Sequence, residues 1–245
     1  VKSTSGDGVE SFHQQDHLYT QLVRGLEAGK EVNNTIINAS ISRVLTASTQ
    51  WKEVLAAAAD PGIQIIISNT TEVGITLLVE DVISGTPVSF PGKLLACLLA
   101  RYEKPGNDVK SGLVIIPTEL IPGNGDKLKN IVIELAWLNN LDPAFIQWIG
   151  EANDFCNSLV DRIVPGKPNA EEAARIEAAL GYSDELMTMS EVFRLWAIEG
   201  NEKVKEILSF SKADDGVIIA PDITLFKELK LRLLNGTHTF NCGTA

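Results

Sequence analysis

Three polar residues near the end of the chain have side chains suited to carbonyl chemistry: Lys230, Asn235 and His238. A lysine can exchange a proton with a carbonyl oxygen, an amide can donate a hydrogen bond to an alkoxide, and a histidine can orient a hydroxyl group. If residues 225–240 form one α-helix, Lys230 and His238 lie about 80° apart around its axis, and Asn235 lies within about 60° of His238. A helix that continues through Asn235-Gly236 would therefore present all three side chains to one cleft.

The pattern of apolar residues favours such a helix. Leucine or phenylalanine recurs with a period near 3.6, at Leu225, Phe226, Leu229, Leu233 and Leu234. A purely structural interpretation is also open, because lysines on amphipathic helices are usually solvated and Asn-Gly commonly ends a helix. The choice between the catalytic and the structural interpretation therefore depends on the elements that position this helix.

Two strands with polar ends are predicted upstream. Four isoleucines within residues 63–67 indicate a parallel strand buried on both faces, and it ends in the polar run Ser68–Glu72. Residues 112–117 repeat the pattern, and predicted helices at 49–60 and 91–103 alternate with the strands. This order predicts a doubly wound α/β sheet, whose ligands bind at the carboxyl ends of its strands, although a plain loop would also be polar.

The remaining elements extend the same pattern. Trp137 and Trp148 are predicted to fill the core, while Asp161-Arg162 interrupts an apolar strand and needs partners, either within the pair or at the edge of a site. Residues 1–43 are predicted as strand, loop, helix and strand. Further helices are predicted at 126–139, 143–153 and 171–180, and further strands within 155–165, near 189–203 and at 217–220.

The composition excludes several classes of function. The 245 residues are 44% hydrophobic, which is enough for a substantial core, and a net charge of −11 without a basic cluster argues against nucleic acid binding. No apolar run approaches the roughly 18–20 residues that span a bilayer, and the first residues do not resemble a signal peptide. Three scattered cysteines fit a reducing compartment, and His13 and His17 lack the carboxylates of a metal motif. We expect a soluble, cytoplasmic, metal-free protein.

Several motifs resemble those of the long-chain mannitol dehydrogenase (polyol-specific) family. The run FCNSLVDRIVP at 155–165 is similar to that family's NSMVDRI-type run, and KLRLLNGTH at 230–238 is similar to its K-x4-N-x2-H run. HQQDHLYTQLV, ISNTTEVG and IIPTELIPGNG occur in the expected order, so the resemblance covers nearly the whole chain. ISNTTEVGI, IIPTELI and FRLWAIEG look most like the tagaturonate reductase (altronate oxidoreductase) branch.

The resemblance implies a metal-independent hydride transfer with NAD as the cofactor and a sugar acid as the substrate. Lys230 would be the general acid/base, Asn235 would stabilise the alkoxide and His238 would position the substrate. The residues expected near the nicotinamide are Asn69, Thr71 and Glu72. Those expected beside the substrate or the catalytic helix are Asn124, Asp161 and Arg162.

Two departures from the family pattern affect these expectations. Relatives that act on mannitol carry an asparagine as a second oxyanion donor where this chain has Leu120, so Asn235 acts alone or a group such as Asn124 compensates. The chain also contains no glycine-rich turn for the pyrophosphate, and we expect it by itself to bind NAD poorly.

The predicted organisation is a Rossmann-type domain at 1–220 that lacks its first strand, turn and helix, followed at 221–245 by the first helix of a helical substrate domain. Fructuronate reductase, a mannitol-type polyol dehydrogenase and a non-catalytic α/β binding module remain alternatives. The sequence leaves open the oligomeric state and the choice between NAD and NADP.

Overall fold

The computed structural model describes residues 1, 9–71, 73–104 and 111–242, apart from the side chains of His238 and Asn241. The chain divides into two compact units. Unit 1 contains residues 1–54 and 161–194, and unit 2 contains residues 55–160 and 195–245. The predicted boundary at residue 220 falls inside unit 2, and the division into a 1–220 domain and a 221–245 helix stays a prediction.

Unit 1 is built on a three-stranded sheet in the order β2-β1-β7. Strands β1 and β2 form an antiparallel hairpin, and its turn holds Ala28 and Gly29 at positive φ, as tight hairpin turns require. Strand β7 pairs with β1 in parallel. The elements are α1 (Val9–Gln14), β1 (Tyr19–Glu27), β2 (Lys30–Asn38), α6 (Ala170–Leu180) and β7 (Thr188–Glu191), and α2 (Trp51–Ala58) begins in this unit.

Unit 2 contains two three-stranded sheets, β3-β4-β5 and β6-β8-β9. The pairs β3–β4, β4–β5 and β8–β9 are parallel. The chain between β5 and β6 joins the sheets, because Cys156 N–H donates to Ile115 O at 2.8 Å and Glu199 N–H donates to Asn157 O at 2.8 Å. The strands are β3 (Ile65–Ser68), β4 (Val114–Pro117), β5 (Asp154–Phe155), β6 (Ser158–Asp161), β8 (Leu195–Glu199) and β9 (Val217–Ala220).

Helices cover both faces of strand β4. On one face, Leu113 and Ile115 pack with side chains from α3 (Phe90–Tyr102), α4 (Asn124–Leu138) and α5 (Pro143–Ala152). On the other face, Val114 and Ile116 pack with residues of β8 and α7 (Glu202–Ile207). The prediction of a Rossmann-type α/β fold is confirmed, since a buried parallel strand between two helical layers is its defining arrangement.

Local sequence signals set the helix boundaries. Ser89 caps α3 by accepting the Gly92 N–H, and Asp142 caps α5 by accepting the Ala144 N–H. Each of these helices has proline in its first turn, where the missing N–H costs nothing. Gly181 ends α6 at φ 80°. These signals explain why the predicted helices agree with the observed ones to within a few residues.

Three local predictions were wrong. Ile67 of β3 is 51% exposed, so this strand is not buried on both faces. Trp137 is 56% exposed, whereas Trp148 is buried as predicted. Within the described part of residues 1–43, the order is helix, strand, strand, because the alternating run 17–23 enters the hairpin directly. None of the described helices has the length and hydropathy needed to cross a bilayer.

Candidate functional site

An open cavity of about 410 Å³ lies in unit 2, where strand β4 ends. It is lined by residues 118–122, which follow β4, and by residues 158–160 of β6. A helical segment completes it with Lys227, Glu228, Lys230, Leu231 and Asn235. Lys230 and Asn235 therefore line one cavity at the carboxyl end of a parallel strand.

The helical segment follows β9 and is not a uniform α-helix. It comprises α8 (Thr224–Leu229), a π-helix (Lys230–Asn235) and α9 (Gly236–Cys242), and we call the whole of residues 224–242 the lysine helix. The helix continues through Asn235-Gly236, as the catalytic interpretation requires. Lys230 is half-buried, and its Nζ donates to Val160 O at 2.8 Å, which directs the ammonium group toward the end of β6.

The π-helix brings Lys230 and Asn235 to the same side. In an α-helix, five residues advance by about 500°, which would leave these side chains about 140° apart. In a π-helix the hydrogen bond joins residues i and i+5, so residues five apart lie nearly above one another. Lys230 and Asn235 are its first and last residues. The expectation that a regular α-helix would present both residues to one cleft was therefore wrong, and the change to a π-helix explains how both come to line the cavity.

The backbone of His238 lies in α9, the next turn after Asn235. Its side chain is outside the described residues, and its proposed role in positioning the substrate stays a prediction. Close to it, Thr239 Oγ1 donates to Asn235 O at 3.0 Å, which ties the first turn of α9 to the end of the π-helix.

Glu119 joins the carboxyl ends of two strands beside the cavity. It is 4% exposed, and its carboxylate accepts hydrogen bonds from Ser68 Oγ at 2.9 Å and from Thr70 N and Oγ1 at 2.7 Å each. Three donors compensate the cost of burying the charge. Glu119 follows the predicted strand at 112–117, whose carboxyl end was expected to bind a ligand, but this cross-link depends on the register of β3 with β4.

Residues Asn124, Gly125, Asn157 and Ser158 form a buried group that we call the asparagine cluster. The Asn124 side-chain nitrogen lies 2.9–3.0 Å from the carbonyl oxygens of Pro117, Glu119 and Ser158, and its oxygen accepts the Ser158 N–H at 2.9 Å. Asn157 Oδ1 accepts the Gly125 N–H at 3.0 Å. Because its amide is fully engaged with backbone, Asn124 is left out of the substrate contacts proposed below.

The residues predicted at the nicotinamide follow strand β3. Asn69 and Thr71 are exposed there, and Thr71 O accepts the Gly74 N–H at 2.7 Å, closing a turn. Their contact with a cofactor stays a prediction. Glu72, the third residue of that set, lies outside the described residues.

Asp161 is the last residue of β6 and belongs, with Arg162, to unit 1. Within that unit, Arg162 Nε and Nη2 both donate to Glu191 O, at 3.1 and 2.9 Å. This bidentate contact gives Arg162 a structural function in unit 1. The proposed place of both residues beside the substrate or the catalytic helix stays a prediction.

Two cavity residues bear on the choice of substrate. Leu120 is 54% exposed and lines the cavity with a side chain that cannot donate a hydrogen bond, so the substitution noted in the sequence does fall in the site. Lys227 was missed by the sequence analysis. Its spacing of three from Lys230 could have revealed it, since residues i and i+3 share one side of a helix.

No group of three or more potential metal ligands occurs among the described residues. His13 and His17 form an edge-to-face ring contact, with centroids 5.2 Å apart.

The model of the mannitol dehydrogenase Rossmann domain matches residues 3–212. The chain belongs to the mannitol dehydrogenase family. Among curated relatives, the altronate oxidoreductase of Halalkalibacterium halodurans is 44% identical over 237 residues, which are 96% of this chain and 46% of that protein. The altronate oxidoreductase of Bacillus subtilis is 41% identical over 240 residues, covering 98% of this chain and 50% of that protein.

Solved structures with the same fold include a substrate-free D-sorbitol dehydrogenase, with a TM-score of 0.74 and 25% identity over 96% of this chain and 50% of the other. The Pseudomonas fluorescens mannitol 2-dehydrogenase, in a ternary complex with NAD and D-mannitol, has a TM-score of 0.73 and 23% identity over 96% of this chain and 48% of the other. The chain thus spans about half the length of the relatives it matches.

Proposed function

We propose that the full-length protein is an altronate oxidoreductase (tagaturonate reductase) that uses NAD(H) to interconvert tagaturonate and altronate. The observation that carries this proposal is the cavity that brings Lys230 and Asn235 together at the carboxyl end of β4. The 44% and 41% identity to two altronate oxidoreductases over nearly the whole chain supports this choice within the family.

In the reduction direction, Lys230 donates a proton to the carbonyl oxygen of the substrate while the carbonyl carbon receives a hydride, which yields the alcohol. Its hydrogen bond to Val160 O holds the ammonium group in the cavity between turnovers. Asn235 donates its amide N–H to the same oxygen as negative charge develops there. His238 would orient a neighbouring hydroxyl group. In the oxidation direction Lys230 accepts the proton instead.

The nicotinamide, when bound, supplies or accepts the hydride. The residues described here fit its proposed location, because Asn69 and Thr71 present exposed polar side chains where β3 ends. Ser68 and Thr70 alternate with them and are held by Glu119, which fixes the backbone that carries the exposed pair. The three free cysteines support a reducing compartment such as the cytoplasm.

The test is to purify the full-length protein and follow NADH consumption with tagaturonate, fructuronate and fructose in parallel. We expect the highest kcat/KM with tagaturonate. A preference for fructuronate or fructose would assign the protein to another activity of the same family. An absence of turnover with all three substrates, in a folded protein that also fails to bind NADH, would support a non-catalytic binding module instead.

A further inference from the structure

Of the four charged side chains that line the cavity, three are bound to neighbouring groups of the protein. Its two carboxylates are bound to neighbours: Glu119 accepts three hydrogen bonds from Ser68 and Thr70, and Glu228 pairs with Arg232. Lys230 is directed to Val160 O. Each of these three charges is therefore held in place by a contact within the protein.

The fourth charged residue, Lys227, differs from the others. It is half-buried and lines the cavity, yet its ammonium group forms no hydrogen bond or ion pair with any residue in the described part of the chain. Asp222 lies within range of its charge, but the low pKa of Asp222 is due first to hydrogen bonds from Thr224, and Lys227 contributes least. A half-buried cation that lines a cavity and forms no direct ion pair favours the binding of an anion there.

The position of Lys227 relative to Lys230 fits one end of an extended substrate. Residues three apart on a helix have Cβ atoms about 5–6 Å apart on the same side, and both lysine arms reach into the cavity. Four carbon–carbon bonds of about 1.5 Å span a similar distance in an extended chain. A sugar acid could therefore place its reacting carbon at Lys230 and its carboxylate at Lys227.

The apolar part of the cavity lining cannot supply this charge, because it includes Leu120, Ile121, Pro122 and Leu159. A neutral polyol would gain nothing from a cation at residue 227. We propose that Lys227 binds the carboxylate of the sugar-acid substrate and thereby sets the preference of this site for an acid over a neutral ketose; this inference rests on the function proposed above.

The experiment uses the full-length enzyme and the variants Lys227→Met and Lys227→Arg. Lys212→Met is the matched control, because it removes the same charge from an exposed lysine that does not line the cavity. Steady-state kinetics are measured with tagaturonate and with fructose, and the affinity for altronate is measured by calorimetry in the presence of NADH, a combination that cannot react.

We expect Lys227→Met to raise the KM for tagaturonate and the Kd for altronate about 10- to 100-fold, the range of a hydrogen bond to a charged group. The kcat with tagaturonate and the kcat/KM with fructose should change less than about threefold, because Lys227 does not contact the reacting atoms and fructose has no carboxylate. Lys227→Arg should restore most of the affinity, and Lys212→Met should behave as wild type.

Equal losses with tagaturonate and fructose, or an unchanged Kd for altronate in Lys227→Met, would overturn the role of Lys227 while leaving the proposed function intact. A wild-type enzyme that reduces no sugar acid would contradict the proposed function itself, and the altronate titration distinguishes that case because it needs no turnover.

Discussion

The asparagine cluster and the lysine helix both contain motif residues, but they differ in burial and in hydrogen bonding. Asn124, Gly125, Asn157 and Ser158 are buried, and their polar groups bind backbone, apart from Asn157 Nδ2, which donates to the Asp126 carboxylate at 2.9 Å. Along the lysine helix, Leu225, Leu231 and Leu233 are more than 60% exposed, and Asn235 is exposed. A motif can therefore mark either a fixed junction between elements or a site that binds a ligand, and the two differ in whether the polar groups of the motif are already hydrogen-bonded within the protein.

The two regions differ because the asparagine cluster joins elements of the fold, whereas the lysine helix lines a cavity. The asparagine cluster ties the start of α4 to the segment that joins the two sheets, and a Cβ on Gly125 would lie 2.6–2.7 Å from the backbone of Cys156 and Asn157. Such close packing leaves no room for a ligand. The lysine helix keeps Lys227 and Asn235 at an open cavity, where their donors can reach a substrate.

The largest effect should come from Lys230→Ala in the full-length enzyme. Loss of the proposed general acid/base should lower kcat by about 10²–10⁴-fold. Loss of the half-buried hydrogen bond to Val160 O should lower stability by about 1 kcal/mol. Steady-state kinetics and thermal denaturation measure the two effects separately. Turnover within tenfold of wild type would remove Lys230 from this role.

For Asn124→Ala we expect the reverse, a large loss of stability with little change in kcat. Removing this amide leaves buried carbonyl groups and the Ser158 N–H without their partner, which should cost about 2–4 kcal/mol of unfolding free energy. The kcat of the remaining folded enzyme should change little. Denaturant titration measures the loss, and Asn130→Ala, at an exposed position of the same helix, is the control and should stay within about 0.5 kcal/mol of wild type. A stable but inactive Asn124→Ala would instead support the predicted place of this residue beside the substrate or the catalytic helix.

A smaller loss, of about 1–2 kcal/mol, is expected for Glu119→Gln. The amide retains the shape of the carboxylate but weakens three charge-assisted hydrogen bonds to Ser68 and Thr70. Glu134→Gln, on the exposed side of α4, provides the comparison. Because Glu119 fixes the strand end that carries Asn69, the KM for NADH should rise in Glu119→Gln and not in Glu134→Gln. Unchanged stability and KM would show that this cross-link is dispensable.

A smaller difference is expected in the reactivity of two cysteines, one beside the asparagine cluster and one on the lysine helix. Cys156 adjoins the asparagine cluster, and burial, followed by the charges of Asp154 and Glu199, raises the pKa of its thiol to about 12. Cys242 is exposed on the lysine helix. At pH 8, iodoacetamide should therefore modify Cys242 while Cys156 remains protonated and unmodified until the protein unfolds. Peptide mass spectrometry gives the order, and early labelling of Cys156 would mean that the cluster opens.

The raised pKa of Cys156 also predicts that the stability of the protein depends on pH. The folded state favours the neutral thiol of Cys156, so its contribution is complete below the ordinary pKa near 9 and is lost as pH rises toward about 12. The loss should be on the order of 1 kcal/mol by pH 10. Denaturation of wild type and Cys156→Ala across this range should give a shallower slope for the variant, and parallel slopes would contradict the shift.

The periodic features of this protein can be predicted from the sequence alone. The buried strand β4, the helices α3 to α6 and the amphipathic lysine helix follow from apolar spacing, capping residues and proline, which act over a few neighbouring residues. The family motifs likewise predicted the fold and directed attention to Lys230, Asn235 and His238. Ile67 and Trp137 show the limit, because their exposure depends on which distant elements cover them.

Which polar residues share a site depends on the tertiary structure. The amide of Asn124, expected beside the substrate or the catalytic helix, is occupied by Pro117 O and the Ser158 N–H. Lys230 and Asn235 would lie on different sides of a regular α-helix, and the π-helix aligns them. Such assignments depend on contacts between residues far apart in the chain and on a local change of helical hydrogen bonding, and neither can be read from apolar spacing.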